Sequence, residues 1–206
     1  MCAASTALKS ARPADSAAPI ATSDLVTIAP SAWDFIRVSM RDSLWGIPAI
    51  EGLRAMRILD ILSPSSVKVP LASTEKHAIL DELVDLLAAN GLCPDAEAVK
   101  KAVWEREMIR TTGIGMGLAI PHGKCSSVPS LVLAIGKPAQ PVEFGSLDKK
   151  PVELIILLVS NPDKKDDHIQ ALGKISKIMT SPEFRQRAYT AKDSIELFGL
   201  FREAES

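Results

Sequence analysis

Apolar positions recur at helical spacing in the first half of the folded-looking part of the chain. Ile79, Leu80, Leu83, Val84, Leu86 and Leu87 form one stripe and predict a helix over residues 74–89, with Ser73 or Thr74 as cap and Asn90-Gly91 as its end. Asp95 then opens a second helix to about Met108, with Val99, Ala102 and Val103 inward and Arg106 in the last turn. Residues 66–71 alternate as a short strand does, and Ser130 to Gly136 reads as another. Val152 to Ser160 is apolar on both faces, the mark of a central, covered strand. Asp166 or Asp167 caps a helix through about Met179, with Ile169, Leu172, Ile175 and Ile178 (or Met179) as its core stripe. Ser181-Pro182 starts a further helix, and a last one runs from about Asp193 to Glu203. Helices on either side of intervening strands predict an α/β fold, a three-layer α/β/α sandwich around a mixed central sheet.

Between the second helix and the next strand lies the least ordinary stretch, Arg106 to Lys124. Gly113, Gly115 and Gly117 alternate, lead into Leu118-Ala119-Ile120, and are followed by Pro121-His122-Gly123. The glycines read as a turn, the triplet as a short buried strand, and Pro121 as a block to further ladder pairing. His122 is thereby delivered to a strand end on constrained backbone, a common place for function.

Composition narrows the field. The 206 residues are 47% hydrophobic and 24% charged, with net charge -1 and 4% aromatics. That balance offers neither a basic face for phosphates nor a base-stacking platform, so no nucleic-acid partner is expected. Cys2, Cys93 and Cys125 form no CxxC pair, which suits a reducing, cytoplasmic setting. The most apolar run, Leu154 to Val159, is too short for membrane insertion. Residues 1–55 form a separate extension. Its first 31 residues are rich in Ala, Ser, Thr and Pro and read as disordered, without the apolar run of a targeting peptide. A docking helix at about 31–44 is the one element expected there. The folded domain is expected at residues 56–206.

The glycine run fails both nucleotide templates. A dinucleotide fingerprint needs glycine where Leu118 stands, and a P-loop needs Ser or Thr where Cys125 stands. His122, Cys125 and His168 complete no metal signature, and no local motif makes Cys125 a nucleophile. Histidine as a phosphoryl acceptor fits better, since neutral imidazole is a competent nucleophile near physiological pH. Arg106 could present a fork of donors to phosphate oxygens, and His168 could donate from the first turn of its helix. Taken singly, each also has an ordinary reading: Arg106 as a surface residue at a helix end, His168 as a solvated first-turn side chain.

The stretch EREMIRTTGIGMGLAIPHGK resembles the phosphorylation-site motif of the enzyme IIA domain of the bacterial phosphoenolpyruvate-dependent sugar phosphotransferase system, in its mannitol, fructose and nitrogen-regulatory branch. RILDILSP, KHAILDELVDLLA, PVELIILLVS and HIQALGKISKIMTSPEFRQ extend the resemblance from about Met56 to Glu205. It implies the three-layer sandwich, and a carrier that takes phosphate on His122, with Arg106 and His168 as its partners at the site. No cofactor or metal is implied. The implied donor is a phosphorylated histidine carrier protein. The implied acceptors are an enzyme IIB or, in the nitrogen-regulatory type that a freestanding domain favours, regulatory proteins bound according to phosphorylation state. The alternative is a binding module of the same fold that acts by contact alone. Met116 stands where a polar residue is usual, a change expected to alter the docking surface, and Arg110 adds a cation. Residues 1–55 have no counterpart in the resemblance, so Met56 is expected to be the real start or the extension a dispensable tail.

Overall fold

The computed structural model describes residues 56–205; the expectations for residues 1–55 lie outside the described residues. Among the described residues, five α-helices flank one six-stranded sheet. The helices are α1 (Lys76–Ala89), α2 (Ala96–Ile109), α3 (Lys165–Met179), α4 (Pro182–Thr190) and α5 (Ser194–Ala204). The strands are β1 (Val67–Leu71), β2 (Gly113–Gly115), β3 (Leu118–Ala119), β4 (His122–Lys124), β5 (Val132–Pro138) and β6 (Leu154–Ser160). β1 pairs parallel with β5, and β5 pairs antiparallel with β6. The other edge of β6 is shared: β3 pairs with its first half and β4 with its second, both parallel, while β2 closes a hairpin on β3. The mixed sheet covered on both faces is the predicted architecture.

β6 divides the two cores. Leu154, Ile156 and Leu158 face α3, α4 and α5, where they meet Ile175, Met179, Leu197 and Phe201. Ile155, Leu157 and Val159 face α1 and α2, packing with Leu83, Leu87, Val99 and Val103. All seven β6 side chains are buried, which is why no polar alternation is written into this strand.

Several local expectations are corrected. Neither Ser73 nor Thr74 caps α1: Glu75 holds the cap position without a side-chain bond, and Glu82 instead accepts the N–H groups of Ala72 and Ser73 to fix the entry. α3 starts at Lys165, so Asp166 and Asp167 lie inside its first turn, where negative charge favours the free N–H pole, and neither is the cap. Ile175 and Met179 are buried as expected and Leu172 packs beside them, but Ile169 is 66% exposed, and His168 and Ala171 complete the buried stripe in its place. α4 and α5 start where expected, at Ser181-Pro182 and near Asp193, and Ser181 and Asp193 cap them by accepting the N–H groups of Phe184 and Glu196.

The glycine stretch departs most. Gly113–Gly115 is itself a strand, and the turn is confined to Met116 and Gly117, whose φ values of 56° and 79° suit a two-residue hairpin. Nor does Pro121 end the pairing. Its carbonyl accepts from the Leu158 N–H, and β4 continues beside β6 from His122 onward. Proline lacks only a donor, and a parallel edge strand can pass one such gap.

Candidate functional site

The register of β4 fixes what faces what. His122, Gly123 and Lys124 lie beside Leu158, Val159 and Ser160. Side chains alternate along a strand, so His122 and Lys124 share the α3 face with Leu158 and Ser160. Gly123 faces α2, and a Cβ there would come within 3.1 Å of the Val103 side chain, so the close packing of β4 on α2 requires glycine.

His168, in the first turn of α3, meets His122 edge to face with ring centroids 5.6 Å apart. Each ring spends one nitrogen on a fixed neighbour. His122 Nδ1 lies 2.9 Å from the Ile120 carbonyl oxygen, which can only accept, so the ring proton sits on Nδ1 and Nε2 keeps its lone pair. His168 Nδ1 lies 2.7 Å from the Ser160 hydroxyl. Burial holds both imidazoles below the ordinary histidine range. For His122, the bond to Ile120 and the Glu107 charge oppose that effect, and Arg106 and Lys124 reinforce it. For His168, burial together with His122, Lys124 and Arg106 lowers the pKa to about 4. Two neutral imidazoles thus sit within the positive potential of two cations.

Arg106 stands in the last turn of α2, where the sequence placed it, and donates through Nη1 to the Arg110 carbonyl at 3.0 Å. Lys124 was missed by sequence reasoning, although its place two residues after His122 on one strand face was the available signal. Glu107 was missed as well. Its side chain is buried, its carboxylate accepts the N–H and hydroxyl of Thr112, and it pairs with Lys76 at 2.6 Å. Thr112 in turn accepts the Ile120 N–H through its carbonyl. Ile120, whose carbonyl orients His122, is therefore tied through Thr112 to the Glu107–Lys76 ion pair. Adjacent helical residues seldom share a role, so a glutamate directly after Arg106 gave no sign of this one.

Met116, the residue expected to alter the docking surface, lies well away from His122 along the sheet. Leu118 registers with Leu154 and His122 with Leu158, a separation of about 13 Å along β6, with the hairpin tip further still.

This arrangement can be set against known proteins. The family model for the phosphoenolpyruvate-dependent sugar phosphotransferase system, EIIA 2, matches residues 60–204. The chain belongs to that family. Among EIIA 2 relatives, the fructose-specific EIIABC component of Bacillus subtilis is 30% identical over 148 residues, covering 72% of this chain and 23% of that protein's length. A nitrogen regulatory protein of Bradyrhizobium diazoefficiens is 28% identical over 145 residues, covering 70% of this chain and 94% of its own. The crystal structure of the nitrogen regulatory protein IIA-Ntr from Neisseria meningitidis superposes with a TM-score of 0.64 at 26% identity, over 69% of this chain and 97% of that one. As an EIIA 2 protein the chain is a phosphotransferase-system component. Among the described residues no helix is long and apolar enough to cross a membrane.

Proposed function

We propose that the chain is a phosphohistidine carrier, with His122 as acceptor and with Arg106, His168 and Lys124 stabilising the phosphoryl group. The observation that carries this is the fixed state of His122: Nδ1 is committed to the Ile120 carbonyl, and a bare Nε2 stands beside His168 on the face shared with Lys124. In the transfer, the N–P bond of the donor breaks as a bond forms between phosphorus and His122 Nε2. The Nδ1 proton stays in place, and the positive charge the ring acquires is met by the Ile120 carbonyl dipole. Such chemistry is mostly positioning and charge neutralisation, which two cations, a neutral donor ring and the free N–H pole of α3 supply.

The donor in this reading is a phosphorylated histidine carrier protein, and the recipient an enzyme IIB or a regulatory partner. A protein partner is supported by apolar side chains next to the polar ones: Met108 and Ile109, which follow Arg106, are 68% and 80% exposed, and Ile169 follows His168. The nitrogen-regulatory role is favoured because the relative matched over 94% of its length is a nitrogen regulatory protein. Incubation with labelled phosphoenolpyruvate and the two general phosphotransferase proteins tests the proposal. Label is expected on the wild type and absent from His122→Ala. An unlabelled wild type would favour a module acting by contact alone, and undiminished label on the variant would move the site.

A further inference from the structure

β6 ends on a polar residue where its pattern calls for an apolar one. Leu154, Ile156 and Leu158 alternate onto the α3 face, and Ser160 is next in that series, fully buried. Its hydroxyl has one hydrogen-bond partner among the described residues, His168 Nδ1 at 2.7 Å. Burying a hydroxyl costs free energy unless it is bonded, so the direction of this bond matters.

Donor accounting gives the direction. A neutral imidazole has one N–H and one bare nitrogen. If His168 donated from Nδ1, the serine hydrogen would be left in an apolar interior without an acceptor, and orphaned buried donors are rare. If the hydroxyl donates, only a spare lone pair goes unused. The second arrangement is the less costly. It puts the proton of His168 on Nε2, the ring nitrogen not bonded to Ser160.

We infer that Ser160 is a positioning residue: by donating to Nδ1 it fixes His168 as the Nε2–H tautomer, the form that offers a hydrogen bond to a phosphoryl oxygen on His122. The functional half of this inference rests on the phosphocarrier reading, whereas the tautomer does not. The two rings are then set in opposite states by neighbours of opposite kind. A carbonyl, which can only accept, leaves His122 with a bare Nε2 for attack. A hydroxyl with a proton to place leaves His168 with a protonated Nε2 for donation. During transfer neither ring loses a proton, and the donated hydrogen bond strengthens as charge on the phosphoryl oxygens is redistributed.

Proton-detected nitrogen NMR of the unphosphorylated chain, with labelled histidine, reads the tautomer directly and needs no variant. His168 is expected to carry its proton on Nε2, and a proton on Nδ1 would overturn the inference. In Ser160→Ala both tautomers should become populated, and transfer to His122 should slow about two- to tenfold, the worth of one hydrogen bond, with KM for the donor protein unchanged. In a His168→Ala background the same serine change should cost nothing further; an equal loss in both backgrounds would show that Ser160 does not act through His168. A chain with the Nε2–H tautomer that takes up no label refutes the phosphocarrier reading and with it the functional half. Normal labelling with an Nδ1–H ring refutes the inference alone.

Discussion

Residues 113–124 have two ends that handle polar groups differently. At the hairpin, the Met116 N–H goes to Asp148, its carbonyl accepts the Tyr189 hydroxyl at 2.7 Å, and the Gly117 carbonyl takes the N–H groups of Glu153 and Leu154. A side chain at Gly117 would strain its left-handed backbone and press on Glu153 and Tyr189. At β4, by contrast, both histidines bond through Nδ1, and neither Nε2 has a hydrogen bond among the described residues. The hairpin end is a clasp with its hydrogen bonds made. The histidine end has its orientation fixed and both Nε2 atoms unspent, the pre-organisation that the proposed phosphoryl transfer requires.

Substitutions separate the two ends. The largest effect falls on His122→Ala, which should lose phosphoryl uptake entirely while its melting temperature changes little. Any stable label on it would erase the contrast. Glu107→Ala comes next, because it leaves the buried Thr112 N–H unmet and removes the partner of Lys76. Chemical denaturation should show a loss of about 3 kcal/mol, and uptake by the folded protein should slow because Ile120, whose carbonyl orients His122, is loosened. Loss of stability without slower uptake would detach Glu107 from the site.

Titration distinguishes the ends by sign. With His168 held near pKa 4 and His122 lowered too, the unfolded chain binds protons below pH 6.5 that the folded one refuses. Stability is therefore complete above the ordinary histidine pKa and is lost as pH falls from 6.5 towards 4. Replacing both histidines with glutamine should flatten that limb of the denaturation profile. At the hairpin, burial, aided by Glu153 and opposed by Arg185, raises the Tyr189 pKa to about 12. The folded chain keeps a proton that the unfolded one releases, so stability falls as pH rises from 10 to 12. Tyr189→Phe, the mildest change, should abolish this alkaline limb and cost about 1 kcal/mol at neutral pH with labelling unchanged.

Elements with one strong pattern were legible in the sequence. α1 showed its stripe, α2 its stripe and its Asp95 cap, and β6 its unbroken apolar run. β4 was not legible, because Pro121 looks like a terminator and His-Gly-Lys carries no strand propensity; its pairing is decided by β6 alongside it. Of the site, His122, His168 and Arg106 could be nominated from residue type and resemblance, and the structure brings the two histidines together between cations. Ser160 and Glu107 could not, and Lys124 could only once β4 was known to be a strand. Their parts depend on strand register and on contacts between residues distant in the fold, and a serine closing an apolar strand reads as its end rather than as a partner for a ring eight residues on.

The proposed transfer turns on which nitrogen of His122 is left free. Nitrogen- and phosphorus-resolved NMR of the phosphorylated chain should find the phosphoryl group on Nε2 of His122 with the proton still on Nδ1. Attachment at Nδ1 of His122, or on His168, would contradict it.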